Sequence, residues 1–406
     1  MLERVTIRPV LADELEPVAR LRAIGFGGDP QESLAKLKSD PRCNHAHLIA
    51  AEFEGRMIGT AAAFPAQMWL SGVPVNIGAV AGVSVLPEYR RKGVAAKMME
   101  FLIMRLVAEG RALSALFPFS HKYYRKFGYA TVGDVHAYRL NPGNLPVFVE
   151  GHQVRPFEPT DLPMLRVLVK GQLTWRNGWF TRSNDWWAKI VEHWPDIMVF
   201  ENDGMIEGYF SYKISTTNRG ERVMEIKEFL AAEDAAFRGL IGYLAAQTQA
   251  DVIEYLAPPD TPLRHALRQP YADDYTVRRW IFRDLCHITP GMMGRIINLP
   301  AALTARFYTR GLSGERILKV TDPLISTNEE PLVFRLVDGR AETRPAANQP
   351  PQIETDIATM TQILCGYLTM ADARRLGRLK ADEDTCAWLD KALVDAPLFV
   401  QAGDWF

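Results

Sequence analysis

The 406-residue chain predicts a mixed α/β and α+β protein of three domains, the second a degenerate copy of the first. Three observations carry that reading. The length exceeds that of one typical domain and leaves room for two or three. A strand, a helix start and a hairpin recur in the same order: "IRPVLADEL" at Ile7 is echoed by "VRPFEPTDL" at Val154, and "FEGRMIGTAAAF" at Phe53 by "FENDGMIEGYFSY" at Phe200. The texture then changes near residue 286. The expected limits are 1–150, 151–285 and 286–406.

In the first copy, Val5, Ile7 and Val10 predict a strand, and Asp13 opens a helix through Leu15, Val18 and Leu21. His47 to Phe53 reads as a strand, Glu54-Gly55-Arg56 as its turn, and Met57 to Phe64 as the returning strand. Val75 to Val85 is a nearly continuous apolar strand. Gly93 to Gly110 is an amphipathic helix with Met98, Leu102 and Leu106 at helical spacing. Leu113 to Phe117 is another strand.

The second copy repeats the framework. Its counterpart of the segment after the long strand reads "IKEFLAAEDAAFRGLIGYL", acidic where the first copy is basic, so the fold is expected without the anion site. The last part predicts a small α+β domain. "GRIINLPAAL" precedes a strand at Ile317 to Val320 and a hairpin through Asp338-Gly339. "AETRPAANQPPQIETD" reads as a polar connection, and helices follow at Ile357 to Leu368 and Thr385 to Leu393. The apolar tail "PLFVQAGDWF" is expected to dock and not fray.

Net charge is −1, so no overall basic field points to nucleic acid or an anionic membrane. No apolar run has the length of a membrane span, and "MLERVTIRP" reads as a charged strand, so no signal peptide is expected there. The four cysteines are scattered, which fits a reduced, cytoplasmic protein. Cys43, His45 and His47 in "CNHAH" lack zinc spacing, so no metal is expected. "WRNGWFTRSNDWW", from Trp175, reads as packing between domains. No G-x-S-x-G accompanies Ser84 or Ser120, so a hydrolase triad has little support.

The chemistry concentrates in "VLPEYRRKGVAAKMM", Val85 to Met99. A strand ends, three cations follow (Arg90, Arg91, Lys92), and a helix starts at Gly93. The first-turn N–H groups of a helix have no internal partner and the dipole is positive there, so such an end receives a phosphate. Gly93 and Ala95 let backbone come close. "VSVLPEYRRKGVA" resembles the acetyl-coenzyme A signature of the GNAT N-acetyltransferase superfamily. The resemblance implies that Val83, Ser84 and Val85 line the pantetheine arm. It implies that Arg90, Arg91, Lys92, Gly93, Val94, Ala95 and Ala96 surround the pyrophosphate, and that acetyl-CoA is the cosubstrate.

"FPFSHKYYRKFGYATV", Phe117 to Val132, resembles the tyrosine segment of the same superfamily. There Tyr124 would protonate the leaving thiolate, with Tyr123 and Tyr129 in reserve, and Phe119 and Ser120 would flank the thioester. The whole chain is similar to the enhanced intracellular survival type of aminoglycoside acetyltransferase. That family has an active acetyltransferase domain, a degenerate second one and a sterol-carrier-protein-like third. In it the terminal carboxylate, here that of Phe406, acts as base on the substrate amine. An α-carboxylate is ionised at neutral pH.

The resemblance implies a small cationic amine as substrate and a homohexamer in the cytoplasm, without nucleic acid or membrane partners. Asp29, Asp404 and Trp405 are the local substrate candidates; Trp405 stands where an acid would make the pocket strongly anionic. The alternatives are an acyltransferase acting on protein or peptide lysine amines, and a non-catalytic lipid- or CoA-binding protein.

Overall fold

Strand β1 (Thr6–Pro9) pairs antiparallel with β2 (Leu48–Phe53), and β2 with β3 (Arg56–Leu70). β3 runs past the expected Phe64 because nothing turns the chain until Ser71-Gly72. There both residues take positive φ, 48° and 78°, the geometry a two-residue hairpin needs. β4 (Val73–Val85) returns beside it and pairs in parallel with β5 (Leu113–Leu116). The crossover is helix α3 (Val94–Ala108), and β6 (Ala130–Thr131) follows. Helices α1 (Leu15–Phe26) and α2 (Pro30–Ser39) precede β2, with α1 packed on β4. α2 is absent from the sequence-based expectations, although Asp29-Pro30 is a cap followed by proline at the first helical position. A short helix, α4 (His121–Arg125), sits between β5 and β6.

The structure is a computed structural model that describes residues 1–194, 196–271, 277–278, 282–347 and 349–406. Among these, the first sheet has the order β1-β2-β3-β4-β5, then strand Met293–Ile296, then β6. The second copy supplies β7 (Asp134–Leu140), β8 (Val154–Pro156), α5 (Leu162–Gln172), α6 (Asn184–His193), β9 (Asp196–Asn202), β10 (Met205–Thr216), β11 (Arg222–Ala231), α7 (Asp234–Ala245) and β12 (Val252–Ala257). Its sheet runs β8-β9-β10-β11-β12-β7, ending on strand His287–Pro290. The duplicated pattern is therefore a duplicated topology, with β11 and β12 the parallel pair.

The strand pairing departs from the expected domain limits. β7, which those limits put with the first domain, bonds into the second sheet. Met293–Ile296, put with the third domain, fills the position beside β5 in the first sheet, and His287–Pro290 joins the second. The described residues divide into Met1–Val132 with Met292–Asp395 and Phe406, and Gly133–Gly291 with Ala396–Trp405. In both sheets the edge beyond the parallel pair takes an antiparallel strand. Which segment fills it is a long-range choice that no local pattern encodes.

The third domain is a mixed sheet, Arg340–Pro345, Leu332–Val337, Gly314–Thr321, Ile353–Asp356 and Leu379–Lys380 in that order. Asp338-Gly339 makes the expected tight turn, at φ 46° and 78°. The expected connection from Ala341 is half strand: Arg340–Pro345 and Ile353–Asp356 both pair, and Asn348 lies outside the described residues. Helix Ile357–Leu364 stops short of Leu368 because Gly366 turns left-handed, at φ 70°. It packs against strand Met293–Ile296, where Thr361 Oγ1 accepts from the Ile296 N–H at 3.0 Å. The void among Leu303, Phe334, Met360 and Leu389 is about 10 Å³, the size of one water and far below a lipid chain.

Candidate active site

β4 and β5 pair only from Ile77↔Leu113 to Val80↔Leu116. Past Val80, β4 continues beside β3 alone, so its other edge is open. Thr60 pairs with Ser84 and Ala62 with Ala81, which sets Gly82 and Val83 opposite Ala61: a bulge. Gly82 adopts φ +63°, and a Cβ there would meet the Arg22 guanidinium at 2.6 Å. The Leu86 N–H donates to Ile58 of β3 at 2.9 Å. Alternation along the strand then turns the N–H of Val85 to the open edge.

Ser84 serves the scaffold with its side chain, whose hydroxyl donates to the Leu21 carbonyl of α1 at 2.6 Å. Arg90 is exposed, but its Nε donates to the Val85 carbonyl at 3.0 Å, bracing the loop. Arg91 and Lys92 are exposed, and Lys92 lies 5.5 Å from the Tyr89 ring centre. Arg91 has φ +60° and Gly93 φ +86°, left-handed positions at the helix mouth. Gly93 is the N-cap of α3 and no side chain caps it, so the N–H groups of Val94, Ala95 and Ala96 have no intrahelical partner. A Cβ on Gly93 would come within 2.8 Å of Leu2. Free N–H groups, three exposed cations, small residues and an open strand edge fit the pyrophosphate and pantetheine of acetyl-CoA.

Three tyrosines compete for the acid's role, and their partners separate them. Tyr129 is committed: its hydroxyl shares a 2.7 Å hydrogen bond with Ser114, which donates to the Gly78 carbonyl. Burial pushes its phenol up to about 12, although Ser114 opposes this. The Tyr123 hydroxyl is buried with no hydrogen-bond partner among the described residues, and burial raises it to about 12 as well. Tyr124 is 3 % exposed, its ring meeting Phe119, Tyr123 and Tyr129 edge-on or nearly so. Burial holds its phenol far above the ordinary tyrosine range, reinforced by the neighbouring phenols, so it keeps its proton at neutral pH. Ser120 caps α4 by accepting from the Tyr123 N–H at 3.3 Å, and Phe119 is exposed over Tyr123 and Tyr124.

The loop from Phe117 to Ser120 connects the acid and base candidates. Phe117 stands 5.3 Å from the Phe406 ring, and Phe119 stands 5.2 Å from Tyr124. Phe406 is half-buried and packs against the core cluster that includes Val18 and Ala19 of α1 and Leu34 and Leu37 of α2. The turn after α4 has a support that the sequence does not announce. Arg295, on strand Met293–Ile296, is fully buried, donates to the Phe127 carbonyl and forms a two-point pair with Asp322 at 2.7 and 3.0 Å. Gly128, φ +81°, leaves room for that guanidinium.

The substrate candidates fare differently. Asp29 spends its carboxylate capping α2, accepting from Gln31 and Glu32 N–H at 2.6 and 3.1 Å. Asp404 is not a free acid: it is buried in an ion pair with Arg182 at 2.7 Å, and Arg182 also holds Glu228. Trp405 is 45 % exposed. The tryptophan-rich segment serves the second domain, where Trp187 lies 4.7 Å under the Arg182 guanidinium. His45 and His47 form one short turn capped by Asn44, and the described residues hold no three-member group of metal-ligating side chains.

One charge was not anticipated. Arg22 on α1 lies over Gly82, and its Nε and Nη2 are buried with no hydrogen-bond partner among the described residues. Burial pulls its guanidinium below the usual range, with Cys43 and Asp40 opposing.

Two families described as Acetyltransferase (GNAT) domain match residues 6–132 and 178–296, and the Sterol carrier protein domain family matches 299–400. An uncharacterised N-acetyltransferase of Streptomyces griseus is 25 % identical, over 78 % of this chain and 79 % of its own. N-acetyltransferase Eis of Mycobacterium tuberculosis is 26 % identical over 72 % of each chain. Among solved structures, a GCN5-related N-acetyltransferase from Anabaena variabilis superposes with a TM-score of 0.87 at 18 % identity, covering 99 % of this chain and 100 % of that one. Eis1 from Mycobacterium abscessus superposes at 0.79 with 21 % identity and the same coverage. No described helix is long and apolar enough to cross a membrane.

Proposed function

Because the chain belongs to the Eis-type N-acetyltransferases of the GNAT superfamily, an acetyl-CoA-dependent class, we propose that it acetylates a primary amine of a small cationic acceptor, such as an aminoglycoside, by direct attack in a ternary complex. When bound, acetyl-CoA supplies an activated acyl group on a thiol leaving group. The observation that carries the reading is the Phe117–Ser120 loop, which touches Phe406 on one side and Tyr124 on the other. Phe406 carboxylate takes the proton of the acceptor ammonium. The Val85 N–H, turned to the open edge, donates where negative charge develops on oxygen. Tyr124 keeps its phenol protonated and donates to the departing sulfur. Arg91, Lys92 and the first turn of α3 hold the pyrophosphate.

A second reading of the acceptor rests on Arg22. An unpaired guanidinium on the α1 face of β4 favours an amine whose molecule also carries a carboxylate, as a peptide or amino acid does. With Asp29 and Asp404 engaged elsewhere, this reading competes directly with the polycationic one. Action in the cytoplasm and a hexameric assembly are the family's expectations, and light scattering on the purified protein tests the second.

The deciding experiment is acetyl-CoA turnover over a panel of aminoglycosides, polyamines, amino acids and lysine peptides. Wild type is compared with Tyr124→Phe and with a variant extended by one glycine beyond Phe406. Turnover with the aminoglycosides, lost in both variants, is the expected result. Full activity in both variants defeats the acid–base assignment. A preference for carboxylate-bearing amines that disappears in Arg22→Met selects the second reading.

A further inference from the structure

We propose that the second acetyltransferase-like domain has kept its cleft and uses it to bind a small organic cation with N–H donors, an amidinium, guanidinium or ammonium on an apolar body. The cleft corresponds to the cofactor cleft of the first domain. β11 and β12 pair in parallel from Val223↔Val252 to Ile226↔Tyr255, as β4 and β5 do, and α7 follows β11 as α3 follows β4. Beyond the paired stretch lies a cavity of about 380 Å³, within the range of small-molecule sites.

Its chemistry is opposite to that of the first domain. Where the first copy has Arg90-Arg91-Lys92-Gly93 before its helix, this one has Ala232-Glu233-Asp234 at the start of α7. Arg176 and Arg238 also line the cavity, but each is neutralised, by Asp260 at 2.8 Å and by Glu150 at 2.6 Å. Glu233 and Asp234 have no ion-pair partner among the described residues; both are exposed at the start of α7, so the rim of the cavity is anionic and disfavours a pyrophosphate. The walls are aromatic, with Trp179, Phe229, Phe237, Tyr255 and Phe399 on the lining. Aromatic faces and carboxylates together attract a cation whose body is apolar.

A second, independent feature points to a ligand. Gln401 lines the same cavity and is 3 % exposed, yet its side-chain amide has no hydrogen-bond partner among the described residues. Neither polar atom of that amide is sealed from the cavity, so a molecule inside it can reach them. A ligand bearing N–H groups satisfies its oxygen.

The test is calorimetric titration of the full-length protein, saturated with acetyl-CoA, using three isosteric probes: benzamidinium, benzamide and benzoate. The expected result is saturable one-to-one binding of benzamidinium, roughly tenfold weaker binding of benzamide, and none of benzoate. The Glu233→Gln/Asp234→Asn double variant and Gln401→Leu should each weaken benzamidinium by roughly fivefold or more. Circular dichroism melts would confirm that these variants remain folded. Tyr124→Phe should bind as wild type does, since Tyr124 is not part of the cavity lining. Failure of benzamidinium to bind, equal binding of the three probes, or undiminished binding by the folded double variant overturns the proposal. So does loss of binding in Tyr124→Phe, which would place the probe at the acetyl-transfer site.

Discussion

Arg182 grips Asp404 at two points, Nε to Oδ1 at 2.7 Å and Nη2 to Oδ2 at 3.0 Å, and holds Glu228 with the same guanidinium. Burial works against that charge, but the two carboxylates outweigh it and keep the guanidinium ionised well above its usual range. Tyr209 adds a hydrogen bond to Glu228. Removing one partner from such a pair leaves buried charge uncompensated, at a cost of about 3–5 kcal/mol. Arg182→Met strands two carboxylates and Asp404→Asn strands none, so denaturant unfolding should rank Arg182→Met as the more damaging. A substrate role for Asp404 instead predicts a change in KM with stability intact.

Tyr124→Phe and Tyr129→Phe should separate chemistry from scaffold. Tyr129→Phe leaves Ser114 with its bond to Gly78 and should cost about 1 kcal/mol in stability, with little change in kcat. Tyr124→Phe removes a hydroxyl that no described residue uses and should lower kcat roughly 10²–10³-fold while the melting temperature holds. Steady-state kinetics beside thermal melts decides it.

Arg91 occupies the left-handed region at φ +60°, which costs a non-glycine residue about 1–2 kcal/mol. Arg91→Gly relieves that strain and also removes a cation from the proposed pyrophosphate site. The melting temperature should hold or rise slightly while KM for acetyl-CoA rises several-fold. That rise should shrink at high salt, where wild type also loses its electrostatic gain. An unchanged KM at low salt would falsify Arg91 as a cofactor contact.

Arg295→Met should test the buried support under the tyrosine loop. It strands Asp322, which also accepts from Leu324, Ile325 and Asn328, and it frees the Phe127 carbonyl. A loss of about 3–5 kcal/mol is expected in chemical denaturation. Activity should fall beyond what the unfolded fraction explains, because Phe127 lies three residues from Tyr124.

Acid stability should show the hand of Arg8, which bonds Glu14 through two nitrogens at 2.6 and 2.7 Å. That contact lowers the Glu14 carboxyl from 4.5 to about 2, against a smaller opposing effect of burial. A lowered carboxyl contributes its stability fully above the unfolded value. The contribution is lost as pH falls from near 4.5 through about 2. The pair is part-exposed, so the effect is small. Comparing Arg8→Met with wild type at pH 7 and pH 2.5 should show the difference between them narrowing at low pH.

What could be read from the sequence was contiguous. Val83 to Ala96 carries strand, loop, small residues and helix start in one run, so the proposed anion cradle is legible without a fold. The duplicated hairpins were legible for the same reason. Asp404 was not, because its meaning lies in a partner 222 residues away, and a carboxylate near a terminus looks the same paired or free. Arg295 reaches Phe127 across 168 residues, with no local pattern to reveal it. Asp29 could have been read better: followed by Pro30 and a helical stretch, it has the form of a cap. Arg22 gives no signal at all, since an unpaired guanidinium on a helix becomes unusual only once burial is known.

The exchange of strands between the two sheets has a consequence for how the molecule is made. β5 leaves the ribosome with Leu116, but the strand that covers its edge ends at Ile296, about 180 residues later. At 5–20 residues per second, roughly 10–40 s pass with that edge bare. The first domain is synthesised first and completed late, held open until its own duplicate has emerged.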